Sequence, residues 1–154
     1  MRNKLQPVVI LLADDDEEDR MLLCDAVAEA KMEAEIVCVT DGEDLMEYLN
    51  LRGRYAPPAL APRPSLIFLD LNMPKKDGRE ALREIKADPK LRRIPVVVLT
   101  TSKAEEDILR SYDSGASSFI SKPVTFKGLV EMMNGMGQYW FEMVHLPEEQ
   151  VIEI

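Results

Sequence analysis

The chain has 154 residues, enough for one compact unit with its own apolar core and no need of disulfide staples. Its 28 acidic residues outnumber the 19 basic ones for a formal charge of -9, so phosphate backbones would repel it. The longest basic cluster, Lys90 to Arg93, is too short and mixed to offset that, so a free-standing nucleic-acid binder is not expected. The single histidine, His145, stands near the C-terminus and excludes a Ser-His-Asp site in the core or a His-rich metal site.

No run approaches eighteen apolar residues and no secretory segment is legible, so a membrane partner is not expected. Cys24 and Cys38 both fall within apolar runs and read as buried free thiols, which suits a reducing cytoplasm.

Five short apolar runs recur in chain order: Val8 to Ala13, Glu35 to Val39, Ser65 to Asp70, Pro95 to Thr100 and Ser117 to Ser121. Three are continuous in Val, Ile, Leu and Phe, as expected of parallel strands covered on both faces. Helix-period segments lie between and after them. Glu17 to Lys31 places Leu23, Ala26, Val27 and Ala30 on one stripe, and Glu43 to Leu51 offers Leu45 and Leu49. Gly78 to Ala87 offers Ala81, Leu82 and Ile85. Ala104 to Ser114 offers Ile108, Leu109 and Tyr112, preceded by a capping box of Ser102 and Glu105. The alternation predicts a doubly wound α/β sheet with right-handed crossovers.

Two segments stand apart. Arg52 to Pro64 holds four prolines in thirteen residues and predicts a stiff, extended surface loop, either a plain connection or a docking surface. The last helix, Thr125 to Val144, carries three apolar stripes, Leu129/Met133/Met136/Trp140, Met132/Tyr139/Met143 and Val130/Phe141/Val144, with Gly135 and Gly137 weakening its middle. One stripe can cover a sheet; the others need a partner or stay wet.

In an open α/β sheet, ligands bind at the carboxyl ends of the strands. There stand Asp14, Asp15 and Asp16, then Asp70 with Asn72, then Thr100, Thr101 and Ser102, then Lys122 with Pro123. Two carboxylates about 4 Å apart repel by roughly 4 kcal/mol at an effective dielectric near 20, so three in one cleft call for a cation. Oxygen-only ligands favour Mg²⁺ or Mn²⁺ over zinc. A lysine and a hydroxyl beside an aspartate nucleophile complete a phosphoryl-transfer site. Each feature also has an ordinary explanation: Asp14 or Asp16 as a helix cap, Lys-Pro as a turn, Thr as a strand former. Their convergence on one edge is what carries the functional reading.

The strings ILLADDDEED, SLIFLDLNMPKKDG, PVVVLTTS and GASSFISKP, in that order from about Val8 to Gly137, resemble the receiver domain of two-component response regulators. The resemblance implies a flavodoxin-like (CheY-like) five-stranded parallel sheet of strand order 2-1-3-4-5, with an extended C-terminal helix. It implies Asp70 as phosphoacceptor and a metal held by Asp15, Asp14 through water, Asp70 and the Asn72 backbone carbonyl. Thr100 and Lys122 would hold the phosphoryl group, Thr100 and Phe119 would form the switch, and the Lys122–Pro123 bond would be cis. Asp16 and Thr101 depart from the usual pattern, which bears on rate.

The proline-containing insertion, LTTS and the long last helix with Trp140 followed by Leu146-Pro147 resemble single-domain regulators partnered with phytochrome-type histidine kinases. That implies a sensor histidine kinase as partner and a homodimer through Met132, Tyr139, Trp140 and Met143. The expected organisation is a receiver over 1–144 with the loop 52–64 inserted, a tail over 145–154 and no output domain. A transcription factor is not expected, since about ten residues follow the last helix. Two alternatives remain. A haloacid-dehalogenase-like phosphatase needs a general acid two residues after its nucleophile, where Asn72 stands. A receiver-like docking module would lack phosphorylation altogether.

Overall fold

The computed structural model describes residues 8–101 and 104–147. Its elements in chain order are β1 (Val8–Ala13), α1 (Glu17–Glu29), β2 (Ala34–Val39), α2 (Gly42–Leu49), β3 (Leu66–Leu69), α3 (Gly78–Ala87), β4 (Val96–Thr100), α4 (Glu105–Asp113), β5 (Ser118–Ser121) and α5 (Phe126–Gly137). The strands form one parallel sheet ordered β2-β1-β3-β4-β5, as the resemblance implied.

The pleat sorts each central strand's side chains between two cores. Leu11 and Ala13 of β1 join Leu45 and Tyr48 of α2 and Ala81, Leu82 and Ile85 of α3 on one face. Ile10 and Leu12 join Leu23, Ala26 and Val27 of α1 and Leu129 and Met133 of α5 on the other. Both faces being covered explains why these strands read as unbroken apolar runs.

Helix ends follow local chemistry. Asp16 caps α1 by accepting from the Asp19 N–H at 3.1 Å, and Lys31 after it takes a positive φ of 55°. Asp16 thus serves the helix, and its side chain is exposed. Asp41 and Thr125 cap α2 and α5 in the same way. The cap position of α4 is Ala104, with no side-chain cap bond; the Ser102 half of the expected capping box lies outside the described residues. Leu109 and Tyr112 of α4 are exposed, contrary to the expected inward stripe, and the buried residue of this helix is Ser111. Arg79 of α3 ties α4 down instead, with a bidentate pair to Asp107 at 2.9 and 2.8 Å.

The last helix differs from the sequence expectation. After Gly137 its winding loosens over Gln138–Met143 into i→i+5 bonding, Val144 N–H to Tyr139 O at 2.9 Å. The two glycines weaken the α-helix there, and Gly137 lets Met32 approach so closely that a Cβ would lie 3.3 Å from its Cγ. Trp140 is only 7% exposed and belongs to the core over α1, so it is no free dimer contact, and Met132 also packs partly against that core. Tyr139 and Met143 stay open at 54% and 73%.

The proline loop is anchored and not wholly extended. It opens with a 3-10 turn over Gly53–Tyr55, Tyr48 Oη donates to Pro62 O at 2.7 Å, and Arg63 donates to Lys90 O at 2.8 Å. Arg54 and Tyr55 both donate to Asp44, at 3.0 and 2.8 Å. Burial alone would raise the Asp44 carboxyl, but bonds from Tyr55, the Thr40 N–H and Arg54 hold it below the usual carboxylate range. The Lys122–Pro123 bond, expected cis, is trans; trans is the lower-energy form of an X–Pro bond, and from it Lys122 reaches its carboxylate partners. The cis bond among the described residues is Pro57–Pro58.

Candidate functional site

The sheet ladder continues one residue past its strands and thereby places the site. Asp14 N–H donates to Val39 O at 3.1 Å, Asp70 N–H to Ala13 O at 3.0 Å and Lys122 N–H to Thr100 O at 2.9 Å. Since Ala13 pairs with Leu69 and Thr100 with Ser121, Asp14 stands beside Asp70 and Lys122 beside the end of β4. The loop after Asp70 is held from below by Gly78, whose N–H bonds Leu71 O at 3.0 Å. A Cβ at Gly78 would come within 2.2 Å of Asp70 O, so the first turn of α3 can approach the loop only as glycine.

Asp70 is engaged on both oxygens. Oδ1 accepts from Thr100 Oγ1 at 3.0 Å and from the Asn72 N–H at 3.1 Å; Oδ2 accepts from Lys122 Nζ at 3.2 Å. Lys122 also donates to Asp14 Oδ2 at 2.6 Å and to Asp19 Oδ2 at 3.1 Å. Asp14 is fully buried, and burial raises its carboxyl above the ordinary value although Lys122 and the Asp16 N–H pull the other way. Burial works against the Lys122 ammonium, yet the Asp14 bond and the charges of Asp70 and Asp14 raise its affinity for the proton, so it stays charged.

One oxygen each of Asp14, Asp15 and Asp70 lies within 4.8 Å of the others, with Asp15 on the open side. Three carboxylates against one lysine leave a negative surplus, which is the donor set a hard divalent cation takes. The cluster fits Mg²⁺ or Mn²⁺.

The structure brings together Asp14, Asp15, Asp70, Thr100 and Lys122 as the sequence suggested, while Asn72 presents its N–H to Asp70. Phe119 packs half-buried against the core beneath, with its N–H donating to Tyr112 Oη at 3.2 Å. Thr101 is exposed. Sequence reasoning missed Asp19. Its signal was a carboxylate in the first turn of α1, five residues after Asp14, which points along the same edge. It also missed Arg20, which donates to Asp14 O at 2.8 Å and steadies the acidic turn. Cys24 and Cys38, expected to be buried, are free and only half-buried; burial and the Cys24 neighbour push the Cys38 thiol up to about 11, which disfavours its thiolate.

A buried aspartate, a hydroxyl, a lysine and an acidic cluster at the carboxyl edge of a 2-1-3-4-5 sheet define the receiver class of phosphoacceptor proteins. Residues 10–134 match the response regulator receiver domain, and the chain belongs to that family. It is 43% identical over 141 residues to response regulator Rcp1 of Synechocystis sp., covering 92% of this chain and 94% of Rcp1. The crystal structure of the Mn²⁺-bound form of Rcp1 superposes with a TM-score of 0.83 at 43% identity, over 92% of this chain and all of that one. The phosphorylated cyanobacterial phytochrome response regulator RcpA gives a TM-score of 0.85 at 44% identity, over 93% of this chain and all of RcpA. The family match sets aside the phosphatase reading, and the assembled site argues against a docking module without chemistry. No helix among the described residues is long and apolar enough to cross a membrane.

Proposed function

We propose that this protein takes a phosphoryl group from a phosphohistidine of a sensor histidine kinase onto Asp70 and signals through the repacking that follows. The observation that carries this is the convergence of Thr100, Asn72 and Lys122 on the two oxygens of one buried aspartate beside Asp14 and Asp15. A phytochrome-type kinase as the donor is supported by the likeness to RcpA, a phytochrome response regulator. The free thiols support a cytoplasmic setting.

Oδ2 of Asp70, which faces the Lys122 ammonium that is to hold the incoming phosphoryl group, acts as the nucleophile. It attacks phosphorus as the P–N bond breaks. The bonding pair returns to the imidazole nitrogen and an acyl phosphate remains on Asp70. A divalent cation held by Asp15, Asp14 and Asp70, with the Asn72 carbonyl as further ligand, would neutralise the charge that the cleft and the phosphoryl group bring together. Lys122 and the Thr100 hydroxyl hold the phosphoryl oxygens. Water attacking the same phosphorus later releases inorganic phosphate and restores the carboxylate, so the protein catalyses both its loading and its unloading.

Thr100 already reaches Asp70 and Phe119 already packs on the core, so the inward arrangement lies within the fold's own range. The phosphoryl group favours it by contacts that the free aspartate lacks, a population shift felt on the face of α4, β5 and α5. Tyr139 and Met143, exposed on the last helix, support a homodimer formed there.

The test is intact mass after incubation with acetyl phosphate, with and without Mg²⁺, on wild type and Asp70→Asn. A Mg²⁺-dependent gain of one phosphoryl group that the variant lacks is the expected result. Equal labelling of Asp70→Asn would move the acceptor elsewhere.

A further inference from the structure

Lys122 has three N–H donors, and in this structure each meets a different carboxylate: Asp14 at 2.6 Å, Asp19 at 3.1 Å and Asp70 at 3.2 Å. We propose that Asp19 is a positioning residue that tethers Lys122 in the unphosphorylated protein and sets how readily the lysine turns to a phosphoryl group on Asp70. The inference rests on Asp70 being the acceptor.

The argument is one of donors and exposure. A phosphoryl group on Asp70 turns Oδ2 into a bridging oxygen, so the donor that met Oδ2 passes to the phosphoryl oxygens, which lie farther out; the ammonium must shift to follow them, and one of its two other contacts must lengthen. The Asp14 side chain is 1% exposed, and losing its lysine would strand a buried charge. The Asp70 contact lies where the phosphoryl group itself will be. Asp19 is 39% exposed, and its carboxylate can turn to water at small cost. It is therefore the contact Lys122 releases, and it stabilises only the unphosphorylated arrangement.

Asp19 sits on rigid ground for this role. Its N–H is fixed by the Asp16 cap at 3.1 Å, and the next residue, Arg20, bonds Asp14 O at 2.8 Å. The first turn of α1 thus grips both the acidic turn and the lysine.

The experiment compares wild type, Asp19→Asn, Asp19→Glu and Glu18→Gln with acetyl phosphate and Mg²⁺, at a donor concentration that labels a minority of wild type. Intact mass gives the phosphorylated fraction, and titration with beryllofluoride gives affinity for a phosphoryl mimic without turnover. Asp19→Asn is expected to raise both by about two- to fivefold, the size of one partly exposed ion pair. Asp19→Glu, which keeps the charge, is expected to return towards wild type. Glu18→Gln removes an exposed carboxylate from the same helical turn and is expected to leave both unchanged. Asp19→Asn behaving as wild type would overturn the tether while leaving Asp70 as acceptor. An equal gain in Glu18→Gln would overturn it too, since bulk charge would then explain the effect. Wild type that takes no phosphoryl group at all would remove the acceptor reading, and the tether with it.

Discussion

Replacing Lys122 by methionine keeps the stem and removes the charge between two buried carboxylates. At 2.6 Å from Asp14 and 3.2 Å from Asp70, the ammonium gains about 6 and about 5 kcal/mol at an effective dielectric of about 20. Several kcal/mol of that is offset by dehydrating a side chain only 9% exposed. The variant, moreover, leaves Asp14 and Asp70 facing one another, with oxygens within 4.8 Å, a repulsion of about 3 kcal/mol. The net loss expected is about 3–5 kcal/mol, the range for breaking a buried pair from one side. That is a large share of a typical domain's stability. Urea unfolding followed by the single tryptophan, Trp140, in EDTA at neutral pH measures it. Excess Mg²⁺ supplies the missing positive charge, so the deficit is expected to narrow there by linkage. A deficit below about 1 kcal/mol in EDTA would refute the lysine as the counter-charge of the cleft. Unfolding of both wild type and variant unmoved by Mg²⁺ would refute the acidic cluster as a cation site.

Asp44→Asn is expected to destabilise by about 1 kcal/mol at neutral pH, since Arg54 is largely exposed. The folded carboxyl is held below the ordinary carboxylate range, so its contribution is present above that range and is lost as pH falls through the folded value. Unfolding midpoints of variant and wild type should therefore converge in acid, and a constant gap would refute the linkage. Trp140→Ala should cost about 3–5 kcal/mol as a core truncation, whereas Met143→Lys should leave stability within about 0.5 kcal/mol. Chemical denaturation separates the two. Tyr139→Ser combined with Met143→Lys should give a monomer by light scattering if the exposed side of the last helix is the dimer face; an unchanged mass would locate the contact elsewhere.

The sequence by itself determined the sheet and the edge that carries the chemistry. Unbroken runs such as VVILLA and PVVVLT can be buried only between two layers, and polar residues at their carboxyl ends can only stand at one rim. Asp14, Asp70, Thr100 and Lys122 were legible for that reason, as were the strand limits to within a residue or so. Contacts between residues far apart in the chain were not. The Lys122 bonds to Asp14, Asp19 and Asp70 cross 108, 103 and 52 positions, and the sheet register together with the packing of α1 brings them together. The periodicity of α4 suggested a buried stripe, but the Arg79–Asp107 pair holds that helix while Leu109 and Tyr112 remain open. Trp140, Tyr139 and Met143 look alike as apolar helical residues. Trp140 alone of the three enters the core, on the loosened turn after Gly137, because helical spacing records what can face one way and packing decides what does.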